Sequence, residues 1–175
     1  FYGLDDLIKA DDPGMDDFFK PAVAGVTRDG KIYGIPFEVN TGNENIVMFN
    51  KDMMEAKGVK PPTDDWTLDD YVKTAVALTD PDKKIFGINL LKGTYYDFDC
   101  LVRTFGGELM PNDGKEFALT TDQKSVDAMR WLVELRTKHK AAPLRSEAEG
   151  LGFVSGRLGM AATGIQSVIT LNKQI

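Results

Sequence analysis

The chain has 175 residues, enough for one substantial core and too few for two full lobes. Its 42% hydrophobic and 27% charged residues are ordinary for a globular protein, and no apolar run approaches the roughly 20 residues that span a bilayer. The net charge of −6, with Lys and Arg scattered singly or in pairs, excludes the basic patch of a nucleic-acid binder, and one cysteine, Cys100, excludes an intrachain disulfide or a cysteine-based zinc site.

The opening Phe1-Tyr2-Gly3-Leu4-Asp5-Asp6 reads as the interior of a domain, not as a leader. Loosely spaced apolar residues predict short helices near 4–9 and 15–20. Asp29-Gly30 predicts a tight turn, followed by a strand over 32–37 that Pro36 closes. A polar run, 38–45, precedes the continuous apolar stretch Ile46-Val47-Met48-Phe49, which suits a central strand covered on both faces.

Asn50 can cap a following helix and Gly58 can end it in the left-handed conformation. Thr67 and Asp70 predict a capped second helix, with Leu68, Tyr71, Val72, Ala75 and Leu78 on its apolar side. A strand is expected over 85–91. Phe98, Leu101, Val102 and Phe105 recur at the 0, 3, 4 and 7 offsets of one helical stripe, over a helix expected at 95–106. After a turn at Asn112-Asp113-Gly114, Thr120 and Gln123 form a possible capping box. The helix they open has Val126, Met129, Leu132 and Val133 on its core side. Residues 147–156 suggest a short helix. Leu158, Met160 and Ala162 alternate as in a strand, and Gly164 precedes a final helix. Strands alternating with helices predict an α/β fold, a mixed central sheet flanked by helices.

Several of these pieces together resemble the extracellular solute-binding proteins of bacterial ABC importers, in particular the sugar-binding family related to maltose-binding protein. They are Tyr33-Gly34-Ile35-Pro36; Met48-Phe49-Asn50-Lys51-Asp52; Gly58, Pro62, Trp66 and Thr67; Gly106-Gly107; and Phe153, Ser155, Gly156 and Met160. The resemblance covers almost the whole chain. It implies a periplasmic-binding-protein-like lobe, in a piece of a protein more than twice as long. Residues 1–45 would be a remnant of the first lobe with its hinge crossing, and 46–175 an incomplete second lobe. It also implies an extracytoplasmic receptor, periplasmic or lipid-anchored, that takes a sugar by two-lobe closure and hands it to an ABC permease. Neither cofactor, metal nor catalysis is implied. Gly164-Ile165-Gln166 stands where sugar binders often place a Trp after the Gly, so one usual stacking platform is absent.

A sugar needs amides and carboxylates at its edge and a ring under its face. Glu38, Asn40, Asn43 and Glu44 supply the first kind of group, although such a cluster also suits a polar surface turn. Tyr95 and Tyr96, followed by Asp97 and Asp99, open a helix at the carboxyl end of a strand, where α/β sheets bind ligands. One tyrosine is expected to face the cleft and the other to pack. Gln166 could add an amide, or be an ordinary exposed residue.

Signals for an enzyme are few. His139 lies in a basic helix end, Cys100 reads as a buried thiol, and Trp66 and Trp131 read as core anchors. The alternative reading is a small carbohydrate-active hydrolase that pairs Glu38 with Glu44, or either with Asp97. Self-association through a truncated surface is a third possibility.

Overall fold

The computed structural model describes residues 1–37, 46–89, 95–164 and 166–171, except the side chains of 95–97, 112–113 and 166. The chain divides into two compact units, Phe1–Thr41 and Gly42–Ile175.

Unit 1 holds α1 (Asp5–Asp11), α2 (Lys20–Gly25) and a two-stranded hairpin of β1 (Thr27–Arg28) and β2 (Lys31–Ile32). The hairpin turn is the expected one, with Asp29 and Gly30 both at positive φ (50° and 74°). Two expectations shift here. The 15–20 segment is a 3-10 turn over Met15–Asp17, and the helix begins at Lys20, because Pro21 is tolerated in a first turn. The strand stops at Ile32. Beyond it Tyr33 alone reaches back, donating its N–H to the Val26 carbonyl at 2.9 Å, and Pro36 has no N–H to offer.

Unit 2 is built on three strands, β3 (Ile46–Phe49), β4 (Phe86–Ile88) and β5 (Leu158–Thr163), in the order β3-β5-β4. β5 runs antiparallel to β3 and parallel to β4. The central strand is therefore β5, not β3. Sequence reasoning misplaced the centre because β5 is assembled from small residues: Gly159, Ala161 and Ala162 leave little apolar signal but let helices approach. Among the described residues β3 is an edge strand, its residues alternately half-buried and exposed.

Helices α3 (Lys51–Lys57) and α4 (Leu68–Leu78) follow β3. Both start as read. The Asn50 side chain accepts from the Met53 N–H at 3.0 Å, and Thr67 and Asp70 cap each other reciprocally. Gly58 ends α3 at φ 66°. α4 lies directly on the sheet at Gly87, where a Cβ would collide with the Ala75 carbonyl, and at Gly159, where one would meet Leu78. Thr79 clips the two together, donating its hydroxyl to Ala75 O at 2.8 Å and accepting the Gly87 N–H at 2.9 Å. Ile88 and Met160 share one apolar cluster with Ala75 and Leu78 of α4 and with Leu135 of α7 (Gln123–Thr137).

The predicted stripe on α5 (Tyr95–Thr104) is real. Leu101 and Val102 are buried with Leu109 and Ala128, and Phe98 and Phe105 pack against them. The helix ends at Thr104, before Gly106 turns at φ 76°. Asn112–Gly114 belong to a one-turn helix, α6 (Pro111–Gly114), not a simple turn. The cap of α7 is Asp122 rather than Thr120. Asp122 accepts the Ser125 N–H at 2.8 Å and its hydroxyl at 2.7 Å. The helix buries Ser125, Ala128 and Leu135; Met129 and Leu132 pack against the core as expected, whereas Val133 is 57% exposed, contrary to expectation. Residues 147–156 form no regular helix; Gly150 and Gly156 take positive φ, which a right-handed helix cannot hold. The last described element is α8 (Gln166–Leu171).

Candidate functional site

β4 and β5 run parallel and β3 runs against them, so the carboxyl ends of β4 and β5 lie beside the amino end of β3. Ile46 pairs with Thr163 at this end of the sheet, and Asn89 and Gly164 follow the last residues of β4 and β5. Helices α5 and α8 have their amino termini shortly after these strand ends in the chain. Backbone N–H groups at such termini favour polar and anionic ligand atoms.

The predicted site residues divide by their position here. Tyr95 and Tyr96 are the first residues of α5, and Gln166 is the first of α8. The strand topology thus brings these three starts to one end of the sheet, while their side chains lie outside the described residues. Glu38, Asn40, Asn43 and Glu44 also lie outside the described residues.

A cavity of 400 Å³ opens in unit 2, lined in part by Val47, Asn89, Leu101 and Ala162. One wall is aromatic. Trp66 meets Tyr71 edge-on at 5.8 Å between ring centroids, Tyr71 lies 6.0 Å from Trp131, and Trp131 meets Phe105 at 6.1 Å. Burial pushes the Tyr71 hydroxyl up to about 12, so it stays a neutral donor and acceptor at any physiological pH. The anchoring role expected of Trp66 and Trp131 holds, since both pack against the core, but their partly exposed faces also line this cavity. Cys100 is half-buried rather than buried and lines the same space.

The polar groups near this wall are mostly committed. The Thr67 hydroxyl donates to Asp70 at 2.6 Å, and the Thr104 hydroxyl donates to the Cys100 carbonyl at 2.8 Å. Asp99 is different. Its Oδ2 accepts from Arg103 Nε at 2.8 Å, but its Oδ1 is buried with no hydrogen-bond partner among the described residues. An unsatisfied buried acceptor is costly, and a folded protein carries one for a reason. Asp99 stands one turn after the start of α5, four residues after Tyr95 and three after Tyr96. Sequence reasoning noticed it beside Asp97 but did not select it; its spacing from the two tyrosines was the available signal. Asn89, Tyr71 and Trp66 were missed as cavity residues because they come together only through the sheet. Among the described residues, no three His, Cys, Asp or Glu side chains gather as a metal would require. No helix among them is long and apolar enough to cross a membrane.

The family model for the bacterial extracellular solute-binding protein matches residues 1–174. The polygalacturonan/rhamnogalacturonan-binding protein YtcQ of Bacillus subtilis (strain 168) is 30% identical over 186 residues, which cover 98% of this chain and 36% of YtcQ. The ABC substrate-binding protein Lmo0181 from Listeria monocytogenes, solved in complex with cycloalternan, superposes with a TM-score of 0.75 at 28% identity. The match covers 94% of this chain and 42% of that one. UgpB from Mycobacterium tuberculosis, solved with glycerophosphocholine, gives a TM-score of 0.77 at 17% identity over 99% of this chain and 44% of its own, a likeness of fold alone. The fold is thus that of periplasmic-binding-protein-like α/β proteins. The chain spans about a third of the length of the curated relative.

Proposed function

We propose, since this chain belongs to the family of bacterial extracellular solute-binding proteins, that it supplies the hinge crossing and most of the second lobe of a receptor that captures a carbohydrate. Residues 1–45 are read as the remnant of a first lobe and 46–175 as the second. The intact receptor works outside the cytoplasm, in the periplasm or anchored at the cell surface, and passes its solute to an ABC permease. No bond is made or broken; capture is closure of two lobes around the ligand.

The reading is carried by the convergence of strand ends and helix starts in unit 2. Tyr95, Tyr96 and Gln166 open helices that follow the carboxyl ends of β4 and β5, and the 38–45 segment leads into the amino end of β3. In this reading Glu38, Asn40, Asn43 and Glu44 hold sugar hydroxyls, a tyrosine stacks beneath a ring, and Gln166 adds an amide. Asp99 offers its free oxygen as a further acceptor. YtcQ is named for binding polygalacturonan and rhamnogalacturonan and Lmo0181 was solved with cycloalternan, which supports an oligosaccharide over a smaller solute.

Calorimetry on the longer polypeptide against neutral α-glucans and galacturonans is the test. Binding should be tight to one class and at least about tenfold weaker for Tyr96→Ala and Tyr95→Ala combined. The 175-residue piece should bind weakly or not at all. Micromolar sugar binding by this piece alone, or none by the longer polypeptide to any oligosaccharide, would overturn the proposal.

A further inference from the structure

A second, smaller space lies at the carboxyl end of β4. It holds 270 Å³ and is lined in part by Asn89, by Phe98 of α5, and by Val133, Arg136 and Thr137 of α7. Asn89 also lines the aromatic cavity, so the two spaces are neighbours just past β4.

Among the described residues, Arg136 is the one charged side chain in this lining. It is half-buried, and it forms no hydrogen bond or ion pair with any of them. Its own helix offers no carboxylate, because the residues three and four positions away are Leu132, Val133, His139 and Lys140. The acid nearest in sequence, Glu134, is held by Lys138 at 3.3 Å. The Asn89 side chain is likewise half-buried and without a partner among the described residues.

A cation in a last helical turn suits the helix dipole, but that does not account for Arg136. Main chain closes the end of α7. The Glu134 carbonyl accepts from the N–H groups of Lys138 and His139 at 3.0 and 2.9 Å, and the Leu135 carbonyl accepts from those of Ala141 and Ala142 at 2.9 and 3.3 Å. Lys138 and Lys140 already bring positive charge there. Taking a guanidinium partly out of water, in a pocket shared with Phe98 and Val133, costs free energy that no described protein group offsets.

We propose that Arg136 and Asn89 form a subsite for an acidic sugar, a uronate unit of the oligosaccharide. The planar guanidinium takes both oxygens of the carboxylate in a fork that no neutral sugar can match. The Asn89 amide serves a neighbouring hydroxyl as donor or acceptor, and Phe98 and Val133 supply apolar surface for a ring face. A neutral sugar leaves the guanidinium half-buried and unpaired, and this difference is what discriminates. The inference rests on the carbohydrate reading above and narrows it to acidic sugars.

Calorimetry on the longer polypeptide with trigalacturonate, its methyl ester and maltotriose is the test. The parent should bind the acid at least about tenfold more tightly than the ester. Arg136→Gln should abolish that preference and bind the ester within about twofold of the parent. If Arg136→Gln does not fold, Arg136→Lys reads the same point, because it keeps the charge and loses the fork: a preference reduced at least about threefold supports the subsite, and an undiminished one overturns it. A parent that binds acid and ester equally, or an Arg136→Gln variant that keeps the parent's preference, overturns the inference. Tight binding of maltotriose alone also overturns it and leaves the carbohydrate reading standing, whereas binding of no oligosaccharide at all removes that reading and this one with it.

Discussion

In unit 2, Met54, Leu78, Val102 and Met160 lose all contact with solvent, whereas in unit 1 Pro36 is the only buried residue among those described. Both units contain helices and strands, so secondary structure is not what separates them. What differs is whether apolar residues have something to pack against. In unit 2 the sheet supplies a floor, and α4 and α7 lay their apolar sides on it. In unit 1, α1 and α2 hold no fully buried residue, and Leu7, Phe19 and Phe37 stand exposed. A unit of this length lies near the roughly 40 residues below which a chain rarely supplies its own core. Its exposed apolar residues are the surface expected of a piece whose core is completed by other residues, in keeping with the proposed first-lobe remnant.

The most direct way to break this contrast is to cut it. Residues 42–175 alone should keep their helical circular dichroism and unfold in one cooperative step, while residues 1–41 alone should show the spectrum of a disordered chain. A folded, cooperatively melting 1–41 peptide would remove the distinction.

Single glycines sharpen it further. Gly87→Val drives a side chain into the Ala75 carbonyl, with no flexible neighbour to yield, and should cost about 3 kcal/mol or more in urea unfolding, or leave the protein insoluble. Gly25→Ala in α2 meets nothing within 4 Å. It should be neutral or stabilise by up to about 1 kcal/mol, because the unfolded chain loses freedom and the folded one loses no space. Similar losses at the two positions would mean that unit 1 is packed after all.

Helix caps give a smaller effect of the same kind. Asn50→Ala removes the acceptor of the Met53 N–H and should lower stability by about 0.5–2 kcal/mol. The helices of unit 1 begin at Leu4 and Phe19 with no side-chain cap to lose. Thermal melts of Asn50→Ala and Leu4→Ala should therefore differ, the second staying within about 0.5 kcal/mol of the parent.

These contrasts also mark what could be read from the chain. Asn50, Gly58, Thr67 and Asp70 announced the limits of α3 and α4 because caps are local chemistry, settled within four residues. The α5 stripe was legible for a related reason, since its period is a property of one helix. The centre of the sheet was not. β5 is central because β3 and β4 pair with its two edges, and its small residues Gly159 and Ala161 give little apolar signal of that position. The start of α7 was missed by two residues because Asp122 and Thr120 are both good caps, and the choice fell to the one whose carboxylate reaches Ser125. Of the site, the helix starts at Tyr95 and Gln166 could be inferred, because strand-then-helix order fixes which end of the sheet they occupy. The cavity wall of Trp66, Tyr71 and Trp131 joins residues from distant parts of the chain, and no spacing rule connects them.

The smallest expected effect is a dependence on pH. Hydrogen bonds from the Ser125 hydroxyl and N–H hold the Asp122 carboxyl below the usual range, and the Thr67 hydroxyl does the same for Asp70. A carboxyl whose folded value is depressed stabilises the fold fully above its unfolded value, near about 3.9, and the gain is lost as pH falls through the folded value. Asp122→Asn should therefore melt below the parent at neutral pH, and the gap should close as pH drops below about 4. Because Asp70 titrates in the same direction, the variant should keep part of the parent's acid sensitivity. Melting temperatures measured from about pH 7 down to about pH 2 test this: a gap that stays constant throughout would show that the Asp122 contribution is the shape of its cap and not its charge.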